Sequence, residues 1–126
     1  MNMEQINSEK ASPALGPYCH GKKFGDIIIT SGQIPLTKDG DYVFEVKAAT
    51  KLVLENLLSI VEAGGGTKES IAKVDVFVNN LADFSEINEV YSEFFGNHKP
   101  ARVLVQVEAL PKDVPLEAAM LAFVVK

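Results

Sequence analysis

Two stretches of the chain carry apolar residues at the spacing of an amphipathic helix. Within residues 45–63 the apolar positions fall on one helical face: Ala49, Leu52, Val53, Leu57, Ile60 and Val61. The glycines at 64–66 favour the end of that helix. The second stripe consists of Phe84, Ile87, Tyr91, Phe94 and Phe95. Asp83 and Glu86 stand at capping-box spacing at its start and Gly96 follows its end, so the pattern predicts a second helix.

Strand-type alternation appears in the middle of the chain and again near its end. Residues 71–78 alternate well enough for a half-buried strand. Further on, the valines at positions 103, 105 and 107 share one strand face, so Arg102 lies on the other, at the mouth of a predicted core strand. A guanidinium beside apolar neighbours suits a carboxylate or phosphate held in bidentate geometry.

Glu117 is the one charge in the apolar segment 116–125. A carboxylate there is costly unless it is paired, hydrogen-bonded, protonated or catalytic. A structural ion pair with Arg102 is the simplest explanation. In a single hairpin, however, Arg102 would face position 123, about 20 Å from Glu117 at ~3.3 Å per residue. The pair therefore requires another strand order or a second subunit.

The N-terminal part predicts an exposed arm over residues 1–13, followed by a hairpin. Turn-forming residues at 22–26 separate two short apolar stretches, and the second strand is predicted over 27–31. Tyr18 falls in the first strand, with Cys19 turned to the opposite face. Ser31 and Gly32 form either a plain strand-ending turn or a loop whose backbone approaches a ligand closely, since glycine has no side chain.

The order strand, strand, helix, strand, helix, strand, strand predicts a single two-layer α+β domain over residues 1–126. Both helices would cover one face of a mixed sheet. The other face is also apolar, and self-association is the simplest way to cover it.

Composition excludes several classes of protein. The net charge of −5 argues against nonspecific nucleic-acid binding, which requires a basic surface. The single Cys19 cannot form an internal disulfide, and the polar N-terminus and absence of a long apolar run favour a cytoplasmic protein without a membrane span. His20 and His98 lack partners at metal-ligand spacing, so they are interpreted as surface or packing histidines and no metal is expected.

Several motifs occur together in one order along nearly the whole chain. They are GPY at 16–18, TSGQIP at 30–35, Asn56, FxxxN at 84–88, PAR at 100–102, LPKD at 110–113 and Glu117. In these residues the chain closely resembles the Rid family, RidA type, also called the YjgF or "translation initiation inhibitor" family. It departs from the pattern at Leu104, where many RidA proteins carry Cys, and at Glu108 and Ala118. Asn56 itself is interpreted as a buried amide bonded to nearby backbone.

The resemblance implies a chorismate-mutase-like fold whose last strand is inserted away from the strand of Arg102. It also implies a homotrimer with clefts between subunits. The implied activity is hydrolysis of reactive 2-enamine and 2-imine acids, such as 2-aminoacrylate and 2-aminocrotonate, to 2-oxo acids and ammonia, with no cofactor. Arg102 would bind the substrate carboxylate and Glu117 would activate water.

Five further residues are candidates for substrate binding. Tyr18 would form a wall of the pocket, and the backbone near Ser31, Gly32 and Leu104 would donate hydrogen bonds. Asn88 is either a solvated amide or, by resemblance, a residue that points at the site of a neighbouring subunit.

Two other functions are consistent with parts of the sequence. A non-catalytic trimeric module that binds small carboxylates would also use Arg102, but it would gain nothing from a buried acid such as Glu117. A ribonuclease or translation inhibitor, as the older family name suggests, would need interleaved basic and aromatic surface, which this acidic chain does not show.

Overall fold

Residues 2–126, the part of the chain that the computed structural model describes, form a six-stranded sheet and two helices. The strands are β1 (Met3–Ile6), β2 (Gly21–Phe24), β3 (Ile27–Thr30), β4 (Ile71–Val78), β5 (Ala101–Gln106) and β6 (Leu116–Phe123), and the helices are α1 (Val46–Ala63) and α2 (Phe84–Phe95). The strand order is β1-β2-β3-β6-β4-β5. Strands β4 and β5 are parallel and the other neighbours are antiparallel, which confirms the predicted α+β fold with a mixed sheet.

The last strand lies in the middle of the sheet. β6 pairs with β3 on one side and with β4 on the other, while β5 follows β4 at the sheet edge. The parallel β4–β5 pair needs a crossover connection, and α2 supplies it. The predicted insertion of the last strand away from Arg102 is therefore confirmed. The prediction that Arg102 lies on a core strand is wrong, because β5 is an edge strand.

The hydrophobic core lies between the helices and one face of the sheet. Alternate residues of β4 and β6, such as Val76 and Ala118, are buried there against α1 and α2. Glu45 caps α1 by accepting a hydrogen bond from the Ala48 N–H, and the helix ends at Gly64. The Asn56 side-chain amide donates to the Leu36 carbonyl over 3.1 Å, which confirms its predicted backbone bond.

The opposite face of the sheet, called here the open face, exposes a band of apolar side chains. Six of them are between 42% and 48% exposed: Phe24, Ile27, Ile29, Val103, Val105 and Phe123. Strand pairing joins three of them, since Phe24 lies beside Ile27 and Ile27 beside Phe123. Exposed apolar side chains on one sheet face are typical of an interface, so the predicted self-association stays a prediction, with this face as its proposed surface.

The predicted N-terminal arm is wrong, because residues 3–6 form strand β1 at the sheet edge. Its alternation is weak in the sequence, with polar residues around Ile6, and hydrogen bonding to β2 provides the missing stabilisation. Ile6 is only 5% exposed and reaches Gly64 at the end of α1, where an added Cβ would lie 2.7 Å from the Ile6 Cδ1. Lys23 also pairs with Glu4 across the two strands at 3.4 Å.

The first hairpin is shifted from its predicted position. Residues 22–24 belong to β2, and the turn is confined to Gly25 and Asp26, where Gly25 has a φ of 60° that favours glycine. Tyr18 and Cys19 consequently lie in the loop before β2 and not in a strand.

The predicted capping box of α2 is also absent. Asp83 makes no side-chain cap because it already has helical backbone angles, as the last residue of a 3-10 turn that precedes the helix. The Asn80 side chain caps that turn by accepting from the Ala82 N–H. Phe84 is 44% exposed and does not belong to the inner stripe, whereas Ile87 and Phe95 are buried as predicted.

Within residues 2–126, neither helix combines the length and the apolar composition needed to cross a bilayer.

Replacing Ile6 with alanine tests the role of β1. The truncation removes a buried side chain, so the free energy of unfolding should fall by about 2 kcal/mol. Met3→Ala on the same strand is the control, because Met3 is 60% exposed and its loss should change stability little. Urea unfolding of both variants measures the difference. Equal free energies of unfolding for Ile6→Ala and Met3→Ala would mean that β1 does not contribute to the core.

Candidate functional site

The predicted site residues separate into two clefts on opposite faces of the sheet. Arg102 pairs with Val74 and therefore faces the helices, whereas Glu117 pairs with Phe77 on the open face. Strand β4 lies between their strands. The ion pair considered for Arg102 and Glu117 is therefore not formed within the chain, because strand alternation directs the two side chains to different faces.

The first cleft, called here the Arg102 cleft, lies between α2 and the start of β5. It has a volume of about 320 Å³ and is lined by residues that include Asn88, Tyr91, His98, Lys99 and Arg102. The Arg102 Nη1 donates to the Asn88 Oδ1 over 2.8 Å, so Asn88 is bonded within its own chain. Across residues 2–126, no acidic side chain forms a salt bridge with Arg102. The remaining guanidinium donors can bind an anion.

Tyr91 is a contributor that the sequence analysis assigned only to the core. Its ring centroid lies 4.7 Å from the Arg102 guanidinium carbon, a distance typical of a cation–π contact. Burial raises the pKa of the Tyr91 hydroxyl and the Arg102 charge partly offsets this, so the phenol stays neutral beside the arginine. Asn88 and Tyr91 are three residues apart on a predicted helix, so the sequence places both on one helix face but does not show that Arg102 lies against that face.

Leu104 is not among the lining residues of either cleft, but its backbone reaches the sheet edge. The side chain packs against the core. Farther along the chain, the Val107 N–H donates to the Val78 carbonyl of β4. Since successive N–H groups of a strand point to opposite sides, the Leu104 N–H points to the outer edge of the sheet. A donor at that edge is accessible to a ligand or to another chain.

The second cleft, called here the Glu117 cleft, has a volume of about 460 Å³. Its lining includes Leu15, Tyr18, Ser31, Gly32, Pro111 and Glu117. Gly32 and Glu117 are held together by two backbone hydrogen bonds between Gln33 and Ala118, of 2.8 and 3.1 Å. A Cβ on Gly32 would lie 3.1 Å from the Glu117 carboxyl carbon, so a larger residue would force this carboxyl to move. The missing side chain of Gly32 thus leaves room for Glu117 in its present position.

Tyr18 and Ser31 form the rim of the Glu117 cleft. The Leu15 N–H donates to the Tyr18 hydroxyl oxygen over 3.4 Å, which holds this 47% exposed ring over the loop that precedes it. The Ser31 hydroxyl donates to the Cys19 carbonyl over 2.7 Å. Tyr18 therefore keeps its hydroxyl proton for another partner, while the proton of Ser31 is already used.

Glu117 is a half-buried carboxyl without a protein partner. Within the described part of the chain it forms neither a salt bridge nor a side-chain hydrogen bond. Burial raises its pKa above the ordinary value of a glutamate. A carboxyl with a raised pKa facing a cleft is suited to accept and return a proton.

Metal ligation and histidine chemistry receive no support from the side chains of residues 2–126. This part of the chain contains no cluster of three or more His, Cys, Asp or Glu residues that could hold an ion. His98, on the lining of the Arg102 cleft, lies 2.7 Å from the Ile71 carbonyl through its Nε2 and also packs on Phe95. It is a packing residue, as its lack of partners in the sequence indicated.

Comparison with known proteins gives matches over almost the whole chain. The family model described as Endoribonuclease L-PSP matches residues 8–124. A RutC family protein of Pyrococcus abyssi is 44% identical over 125 residues, covering 98% of each chain. A protein of Escherichia coli K12 named 2-iminobutanoate/2-iminopropanoate deaminase is 44% identical over 121 residues, which are 93% of this chain and 94% of the relative.

A solved structure with a similar fold carries a ligand. It is described as E. coli TdcF with bound serine, and it matches with a TM-score of 0.92 and 42% identity. The match covers 95% of this chain and 98% of that one.

Replacing Glu117 with glutamine should stabilise the fold in a pH-dependent way. Burial gives Glu117 a higher pKa in the folded state than in the unfolded state, where it is about 4.3. As the pH rises from the unfolded pKa to the folded pKa, the free energy of unfolding therefore falls, and above the folded pKa it stays at the lower value. Well below the unfolded pKa, Glu117 is protonated in both states and does not lower the free energy of unfolding. Because Glu117 is partly exposed, the gain at pH 8 should be about 1 kcal/mol or less.

Thermal unfolding from pH 3.5 to 8 measures this gain. Glu117→Gln should unfold at a higher temperature than the wild type at pH 8, and the two should converge at pH 3.5. The exposed Glu108→Gln is the matched control and should show no such divergence. A constant offset at all pH values would contradict the assigned cause.

Proposed function

Since the chain belongs to the endoribonuclease L-PSP family, as the Rid-type motifs of its sequence indicated, we propose that it hydrolyses reactive 2-enamine and 2-imine acids. The substrates are 2-aminoacrylate, 2-aminocrotonate and their imine forms. The products are 2-oxo acids and ammonia. The name of the E. coli relative, a 2-iminobutanoate/2-iminopropanoate deaminase, supports this substrate class.

The environment of Glu117 is the observation that carries the proposal. Glu117 is half-buried in a cleft, its pKa is raised, and it has no bonding partner among the side chains of residues 2–126. A protein that only binds carboxylates gains nothing from a second, proton-exchanging acid that faces its ligand. Acid–base chemistry on a bound molecule uses such a group directly.

Arg102 is proposed to bind the substrate carboxylate. Asn88 and Tyr91 hold the guanidinium in place and leave donors free for a bidentate contact. The serine bound to TdcF carries a carboxylate of the same kind. Binding by this fork fixes the imine carbon relative to its attacking water, and such orientation accounts for a large part of many enzymatic rate enhancements.

Glu117 is proposed to activate that water. The enamine first tautomerises to the imine, whose carbon is already electrophilic, so no cofactor is required. In the protonated imine, Glu117 takes one proton from water as the oxygen bonds to the imine carbon, and the C=N electron pair moves to nitrogen to give a neutral carbinolamine. Glu117 then gives this proton to the nitrogen, the C–N bond breaks with its electron pair leaving on ammonia, and Glu117 takes the hydroxyl proton as the carbonyl of the 2-oxo acid forms. That proton finally passes to the released ammonia, which restores the carboxylate.

The complete site is proposed to lie between two copies of the chain in a homotrimer. Arg102 and Glu117 face opposite sides of one sheet, so one substrate can contact both only if they come from different subunits. The edge strand β5 and the apolar open face offer surfaces for that association. In this arrangement the Leu104 N–H donates from the Arg102 side, while Tyr18, Ser31 and Gly32 enclose the substrate from the Glu117 side.

One assay tests both the proposed deaminase activity and the role of Arg102. Fresh 2-aminoacrylate, generated by a pyridoxal-phosphate dehydratase acting on serine, should release pyruvate faster when the wild type is added. Arg102→Ala should abolish the acceleration. Arg102→Lys should lower kcat/KM about 100-fold, because lysine keeps the charge but loses the planar fork that orients the substrate.

The outcomes separate the candidate functions. Near-normal turnover by Arg102→Lys would contradict the proposed bidentate contact. A folded wild type that gives no acceleration would contradict the deaminase and favour the non-catalytic carboxylate-binding module. Salt-dependent RNA binding by that inactive wild type would favour the ribonuclease instead.

Glu117→Gln should separate binding from chemistry. Glutamine keeps the size and polarity of the side chain but cannot exchange a proton, so kcat should fall about 100-fold or more. The affinity for a stable 2-oxo acid product, measured by calorimetry, should stay within about twofold of the wild type. Equal loss of affinity and turnover would mean that Glu117 is a structural residue.

A further inference from the structure

The wall of the Glu117 cleft is a loop whose two ends meet at one histidine. Leu15, Gly16 and Tyr18, which line the cleft, lie between Ser12 and His20. The His20 Nε2 lies 2.7 Å from the Ser12 carbonyl oxygen. Residues 12–20 thus have the character of an Ω-loop, a compact surface loop with its ends held together.

The two ring nitrogens of His20 have different partners, which define its protonation. The Ser8 N–H donates to Nδ1 over 2.9 Å, so Nδ1 carries a lone pair and Nε2 carries the proton that is donated to the Ser12 carbonyl. His20 is 5% exposed, and Ser8 and Ser12 are buried beside it. Because buried backbone groups need partners, this ring satisfies two polar groups that no water can easily reach.

His20 also connects the loop to the rest of the Glu117 cleft. Its backbone carbonyl accepts from the Ser31 N–H over 2.9 Å, and the Ser31 hydroxyl donates to the neighbouring Cys19 carbonyl over 2.7 Å. Ser31 is followed by Gly32, which packs against the Glu117 carboxyl. One residue therefore joins the base of the loop to the segment that positions the proposed acid.

We propose that His20 is a positioning residue of the site, which holds the loop of residues 12–20 closed and thereby keeps Tyr18 over the Glu117 cleft. This inference rests on the proposed function for its kinetic consequence and on the loop itself for its structural one. Neither nitrogen of His20 reaches the cleft, since both are bonded to backbone groups, Nδ1 to the Ser8 N–H and Nε2 to the Ser12 carbonyl. His20 therefore acts through the loop and has no contact with substrate.

Loss of the two hydrogen bonds of the His20 ring should weaken substrate binding and leave the chemical step unchanged. Without them, the loop closes for only part of the time, and the apparent affinity falls in proportion to the closed fraction. Once substrate is bound and the loop is closed, Arg102 and Glu117 are arranged as before. The expected signature is a KM that rises about 10-fold with kcat within about twofold.

His20→Leu is the direct test, because leucine fills the space but leaves the Ser8 N–H and the Ser12 carbonyl without partners. His20→Gln is the rescue variant, since its side-chain amide supplies an N–H donor and a carbonyl acceptor. Ser59→Ala is the matched control. It removes the hydroxyl that accepts from Ser8 on α1 but keeps both bonds of His20, so it should lower stability without raising KM.

Kinetics on 2-aminoacrylate and hydrogen exchange of the wild type and variants give independent results. His20→Leu should raise KM and speed exchange of amides in residues 13–19 without changing exchange in β4 and β6, and His20→Gln should reverse both effects. Unchanged KM and exchange in folded His20→Leu would overturn the inference. So would an equal rise of KM in Ser59→Ala.

Two further outcomes are decided by the same experiment. If His20→Leu does not fold, His20→Ala takes its place, since the smaller side chain leaves room for water to bind the freed groups. If the wild type is inactive, the proposed function fails. The exchange measurement then still supports or overturns the closure of the loop by His20.

Discussion

The pairing of β6 with β4 is the constraint on which the rest of the structure depends. Once the last strand lies between β3 and β4, alternation along β6 buries Ala118 and Met120 against the helices and directs Glu117 to the open face. The same register across β4 directs Arg102 toward α2. A single chain thus presents a guanidinium on one face and a half-buried carboxyl on the other, and no salt bridge within residues 2–126 neutralises either.

Neighbouring residues position each of these two groups without taking part in the proposed chemistry. Arg102 is held by an amide and an aromatic ring, both of which leave its charge intact. Glu117 is accommodated by the missing side chain of Gly32 and forms no salt bridge with a cation of residues 2–126, and burial raises its pKa. A site assembled from such halves gains its full electrostatic character only when water is excluded from between them.

Both helices, the strand of residues 71–78 and the opposite facing of Arg102 and the valines could be predicted from the sequence, because each has a clear period. The last strand has no such period, and only its continuous apolar run from residue 116 indicated it. β1 could not, since its four residues contain one buried position, and an edge strand is stabilised by its partner more than by its own pattern. The exposure of Phe84 and the absence of an Asp83 cap were not predicted, because a 3-10 turn precedes the helix. Tyr91 and His20 were assigned to packing because local sequence does not report which distant group a side chain will contact.

The central claim, a deaminase site shared by two copies of the chain, is tested most directly by complementation. Arg102→Ala and Glu117→Gln subunits, each inactive alone, are unfolded, mixed in equal amounts and refolded together. Random assembly of sites that take Arg102 from one subunit and Glu117 from its neighbour predicts recovery of about a quarter of the activity of refolded wild type. A mixture as inactive as its components, with mixed oligomers shown by native mass spectrometry, would contradict the account.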